Sequence, residues 1–112
     1  MTGDITIKPA SGTWVVRAGG AVLGESENAL EVRTGGDSTI YFPVDDIATV
    51  FLDESDKTET TAMGDAAFFS IVTKSTTLRD SAWSIANPGA GAEAIAGHLA
   101  FETGDLVAVE KL

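Results

Sequence analysis

Short runs of β-branched and aromatic residues, cut about every eight to twelve positions by glycine, proline or an Asn/Asp turn, constrain this chain most. Ile5-Thr6-Ile7-Lys8 alternates apolar and polar residues until Pro9 stops it, as an edge strand does. Thr13 to Arg17 and Ala21 to Glu25 flank Gly19-Gly20, and paired glycines supply the positive φ of a hairpin turn. Ala29 to Arg33 and Ser38 to Phe42 flank Thr34-Gly35-Gly36-Asp37 in the same manner. Pro43 then predicts one helical turn over Val44-Asp45-Asp46, with proline at its start and acids near its positive end. Ile47 to Leu52 reads as a strand, and the polar stretch Asp53 to Thr61 as an exposed connection. Asp65 to Thr73 is the most apolar strand. Thr76 to Arg79 and Ser81 to Ala86 follow it. Asn87-Pro88 opens the one credible helix, Ala90 to Ala96, capped by Asn87 and stopped by Gly97. His98 to Glu102 and Leu106 to Val109, around Thr103-Gly104-Asp105, read as a closing hairpin. The sum is an all-β, mainly antiparallel chain with one short helix: a sandwich or partly open barrel. No repeat or linker divides residues 1–112, so one domain is expected.

Composition bounds the chemistry. At 112 residues the chain can bury roughly two-thirds of its unfolded surface in one core. It has no cysteine, which removes disulfides, thiolate zinc sites, iron–sulfur ligation and cysteine nucleophiles together. A single histidine, His98, leaves no multi-histidine metal site and makes any histidine triad depend on that residue. No metal and no cofactor is expected. The net charge of -10 repels nucleic acid unless the seven basic residues gather in one patch. They are spread along the chain, with only Lys74 and Arg79 close together, so no nucleic-acid partner is expected. No run approaches the ~20 apolar residues of a membrane span. Met1-Thr2-Gly3-Asp4 has neither the basic nor the apolar region of a secretion signal. A cytoplasmic protein without a membrane partner is the expectation.

Several signposts fall in one order along the chain: Gly20-Ala21-Val22-Leu23-Gly24-Glu25-Ser26, then Tyr41-Phe42-Pro43 with Asp46, then Gly64-Asp65-Ala66 with Phe68 and Phe69. Ala82-Trp83-Ser84 with Pro88 and then Ala100-Phe101 complete the set. With its Trp14-containing first hairpin, the chain resembles a bacterial family known as domain of unknown function 427 over nearly its whole length. Many members carry Cys-Pro-x-Lys before the Gly-x-Ala glycine, where this chain has Thr60-Thr61-Ala62-Met63. Thiol or lysine chemistry imagined for relatives therefore does not carry over. The family is sometimes labelled nucleotidyltransferase-like. This chain has no glycine-rich loop with a following lysine to cradle phosphates, and its field repels them. The resemblance further implies a β-tent-like fold, two packed antiparallel sheets, as in methionine sulfoxide reductase B and the thalidomide-binding domain. Many of those proteins hold zinc on four cysteines, and several bind a small molecule in an aromatic-lined cleft between the sheets.

Trp14, Tyr41, Phe42, Phe68, Phe69 and Trp83 are the candidate cleft residues, since flat π-faces hold cations or planar groups. The competing reading is a plain core. Adjacent strand residues face opposite ways, so one of Tyr41 and Phe42, and one of Phe68 and Phe69, should be core. The other of each pair lies on the second face, in a cleft or an interface. Trp83 is the leading pocket residue, with Ser84 and Asn87 as polar neighbours. Asp45, Asp46 and Asp65 could serve as acid–base groups or magnesium ligands, or simply as turn and strand-end acids. Asp53-Glu54-Ser55-Asp56 lacks the glycine and distant glutamate of a calcium loop and reads as a solvated loop. His98 could shuttle a proton beside Glu25 or Asp46, or be a partly exposed strand residue. Glu25-Ser26 should end a strand near a sheet rim. Ser26 lacks the Gly-x-Ser-x-Gly setting of a nucleophile, which leaves turn capping as its competing role. The expected site comprises Trp83, Ser84, Tyr41, Phe69, Glu25, Ser26 and Asp46, binding a small molecule or short peptide. Catalytic residues stay unassigned. A cofactor-independent enzyme and a homo-oligomeric interaction module, such as a homodimer, are the alternatives.

Overall fold

The computed structural model describes residues 5–112. The Met1-Thr2-Gly3-Asp4 stretch, read above for a secretion signal, lies outside the described residues. Ten strands follow in order: β1 Ile5–Pro9, β2 Trp14–Ala18, β3 Ala21–Ser26, β4 Leu30–Thr34 and β5 Asp37–Pro43 come first. Then come β6 Leu52–Thr61, β7 Gly64–Val72, β8 Thr77–Ile85, β9 His98–Phe101 and β10 Val107–Lys111. They form a seven-stranded sheet in the order β1-β4-β5-β9-β8-β7-β6 and a three-stranded sheet in the order β10-β2-β3. Every ladder is antiparallel. Two antiparallel sheets packed on each other is the arrangement the β-tent resemblance implies. Among the described residues no helix is long and apolar enough to cross a membrane.

The period-two alternation of the large sheet sends side chains into two separate cores. Phe42, Ile71, Ala82, Leu99 and Phe101 meet Val16, Ala18, Leu23 and Val107 of the small sheet on one face. Tyr41, Phe68, Ala100 and Val32 sit on the other face, closed by Met63, Ala92 and Ile95. Both members of the Tyr41-Phe42 pair are therefore buried, one in each core.

Gly24 fixes how the two sheets are joined. Any Cβ there would stand 2.5 Å from the Asp46 carbonyl oxygen, closer than atoms approach. Its absence lets Gly24 bridge to Ile47 while the Ala48 N–H donates to the Leu23 carbonyl at 2.7 Å. Val44–Asp46 forms the expected single turn. Ile47 to Leu52, in contrast, is no strand: the Gly24 bridge is followed by a second 3-10 turn at Thr49–Phe51.

Three further expectations are corrected. The stretch Asp53 to Thr61 is not a loop but most of β6, a 10-residue strand on the sheet edge. Its residues are almost all exposed, so no apolar alternation marks it, while charges along an edge discourage pairing with another chain. The helix over Ala90 to Ala96 contracts to one 3-10 turn, Glu93–Ile95. Gly91 holds a φ of +88° that ends helix propagation, and Ala92 and Ile95 instead plug the second core. The closing hairpin does not form. β9 inserts between β5 and β8, whereas β10 crosses to the small sheet beside β2.

β6, β7 and β8 share a line of irregularity. Their registers shift between Glu54 and Thr58 and between Phe69 and Ile71, and Asp80 takes a φ of +52°. Ser55 Oγ–H donates to Asp80 Oδ1, and the Asp80 N–H donates to Ser70 Oγ at 3.3 Å, so side chains replace the interrupted ladder bonds.

Candidate functional site

The site follows from the shortness of β9. Four residues long, it meets β5 at Phe42 and Pro43 and β8 at Ala82 and Trp83. Beyond Phe101 the chain leaves the sheet, and the Asp37–Ile40 end of β5 has no strand on that side. A split opens there. On the face toward the small sheet it forms a cleft of about 620 Å³, with Trp14, Ile40, Phe101 and Val109 as apolar walls and Asp37 and Glu102 among its polar ones. On the opposite face lies a cleft of about 260 Å³ lined by Tyr41, Phe68, Lys57 and Glu59. Thr39, Trp83 and Glu102 line both.

Trp83 is half-buried at the junction and held from two sides. Its ring stands edge-on to Tyr41 at 6.5 Å between centroids and 87°, and lies 5.9 Å from Phe68, its cross-strand partner on β7. Its indole N–H donates to the Tyr41 hydroxyl at 3.1 Å. Tyr41 is only 2% exposed, and this burial raises its pKa against the opposing effect of the Trp83 hydrogen bond. The Tyr41 oxygen thus has a donor, yet the hydroxyl's own proton meets no acceptor among the described residues. Lys57 Nζ sits 4.4 Å above the centre of the Phe68 ring and 3.6 Å from Glu59 Oε2.

The other expected site residues lie elsewhere. Ser84 follows Trp83 on β8 and so faces the opposite way. With Phe69 it lines a separate, mostly apolar cleft of about 360 Å³ beside Val44, Leu52 and His98. Asn87 is exposed in the bend after β8. Glu25, Ser26 and Asp46 occupy a third place, the junction of the small sheet with the first 3-10 turn. Ser26, 3% exposed, donates through Oγ–H to Asp46 Oδ2 at 2.6 Å and accepts the Asn28 N–H at 2.9 Å. That is the geometry of a tether and turn cap. Glu25 points into solvent. His98 Nδ1 lies 3.0 Å from the Ala96 carbonyl oxygen, which can only accept, so the contact puts the ring proton on Nδ1. Among the described residues no side-chain hydrogen bond joins His98 to Ser26, Glu25 or Asp46, and no group of three His, Asp or Glu gathers as a metal set.

Sequence reasoning missed Asp37, Thr39, Lys57, Glu59 and Glu102. Lys57 and Glu59 are two apart on one strand face, a spacing that places both beside Phe68 once β6 is known to pair with β7. Reading that stretch as a loop hid the signal.

No curated protein matches this chain. The model of the family described as Domain of unknown function (DUF427) matches residues 6–111, a span that contains every residue of the split site, and the chain belongs to that family.

Proposed function

We propose that this chain is a cytoplasmic ligand-binding domain that takes a small molecule at the split around Trp83. The observation that carries the reading is Tyr41. Tyr41, 2% exposed, lines the smaller cleft, and its hydroxyl accepts a bond from Trp83 while keeping a proton to donate. Left without any acceptor such a donor would cost about 1–3 kcal/mol, so an oxygen that reaches it through the cleft, from water or from a ligand that displaces it, is favoured there. The aromatic walls supply flat contact area at small entropic cost. Cleft volumes near 620 and 260 Å³ suit a ligand of modest size.

The test is native mass spectrometry of freshly purified protein beside its folded Trp83→Leu variant, followed by amide and indole NMR of the full chain with a fragment mixture. A non-covalent mass lost in the variant, or saturable shifts at the Trp83 indole N–H, is the expected result. Shifts confined to the Ser84–His98 cleft, or no shift at any indole, would overturn the assignment. A short peptide that moved the same resonances more strongly than any fragment would reassign the ligand class.

A further inference from the structure

We propose that the ligand of the split is a small organic ammonium; the inference rests on the binding reading above and adds the charge. Two features point the same way. The first is the wall chemistry: Trp14 and Trp83, both only partly buried, line the larger cleft. Aromatic faces attract a cation placed within about 6 Å of the ring centre. The chain itself already uses this geometry, for the Lys57 ammonium stands 4.4 Å over Phe68.

The second feature is the charge balance. Lys57 is matched by Glu59 at 3.6 Å. Asp37 and Glu102, also on the lining, make no ion pair among the described residues. The split therefore carries two uncompensated carboxylates inside a molecule of net charge -10. That field draws in cations and repels phosphates and carboxylates. The buried Tyr41 hydroxyl adds a directed donor on the second face, which an alcohol or carbonyl oxygen on the same ligand would accept. A carboxylate rim, π-faced walls and one buried donor together describe an ammonium with an oxygen a few atoms away.

The experiment uses choline and its uncharged shape analogue 3,3-dimethylbutan-1-ol, titrated separately into the labelled full chain at physiological salt. Indole and amide shifts are the readout. Choline is expected to move the Trp83 indole resonance saturably and to bind about tenfold or more tighter than the alcohol. Glu102→Gln should weaken choline by about threefold or more and leave the alcohol unchanged. Equal binding of both probes at Trp83 would overturn the charge inference and leave the binding site standing. Choline shifts spread over the acidic β6 edge and Glu25–Glu27, without saturation at Trp83, would mean counter-ion attraction only and overturn it as well. If neither probe moves Trp83 while another fragment does, the ammonium is wrong and the cleft is right. If no fragment moves it, both fall.

Discussion

Two aromatic pairs, built on adjacent residues of β5, have opposite fates. Phe42 and Phe101 meet edge-to-face at 5.9 Å and 76°, and Phe42 is fully buried beneath the small sheet. Tyr41 and Trp83 meet edge-to-face at 6.5 Å and 87° on the other side of the large sheet, but only Tyr41 is buried. The ring geometries are nearly alike. The difference is polarity and cover: the first pair is all carbon under a second sheet, whereas the second carries a hydroxyl and an indole N–H at the edge of a gap. The candidate cleft in this fold is thus a core that lacks cover along one edge, with polar handles where the cover is missing.

The contrast makes graded predictions. Phe42→Ala should cost the most, about 3–5 kcal/mol by urea denaturation, because no neighbour in a closed core can fill the cavity. Trp83→Leu should cost less, about 1–3 kcal/mol, mainly by depriving the buried Tyr41 oxygen of its donor. Equal losses for the two variants would make Trp83 core and erase the contrast. Ser26→Ala, away from both pairs, should cost about 1 kcal/mol by freeing the Asn28 N–H and releasing Asp46, and thermal denaturation would register it.

Tyr41 also makes a pH prediction that Phe42 cannot. Burial raises its folded pKa above the ordinary 10.0, so the neutral phenol is favoured in the folded state. That contribution is fully present below pH 10.0 and is lost as pH rises through the folded value. Urea midpoints should fall at alkaline pH more steeply in the wild type than in Tyr41→Phe, and parallel curves would refute the assignment. The smallest effect belongs to Glu31 on β4, partly buried on the regular side of the sheet. Its hydrogen bond from Ser38 is the main influence holding its carboxyl below the ordinary range, with Lys8 and Arg33 beside it. A lowered pKa adds stability above the ordinary value and loses it as pH falls. Glu31→Gln should lower stability slightly at neutrality and flatten the acid limb, so that the two curves converge at low pH.

Much of the fold could be read locally. The Gly19-Gly20 hairpin, the Pro9-terminated edge strand and the turn after Pro43 all follow from residues whose φ or hydrogen-bonding choices are narrow. The errors have physical causes. β6 is wet along nearly its whole length, so it shows no apolar period, yet its backbone pairs with β7 on both sides of the Glu54–Thr58 irregularity. The Ala90 to Ala96 stretch has helix-forming composition, but its buried Ala92 and Ile95 serve the second core better in a single tight turn. The candidate site was legible at Trp83 and Tyr41. Ser84, chosen as the neighbour of Trp83, and Phe69, chosen as an aromatic, sit on the far face, because neighbours in a strand point apart.

By itself the sequence determined the strand-rich character, the alternation that turns Tyr41 and Phe42 to opposite faces of one strand, and the absence of thiol chemistry. Each depends on residue type or on spacing along one strand. Only the tertiary structure decided that β9 enters the large sheet while β10 joins the small one. Strand pairing is a contact between residues distant in the chain, chosen by competition among edges, and local periodicity is the same whichever edge is taken. The parting of β9 and β10 opens the split, which is why Glu102 and Asp37 come to stand beside Trp83.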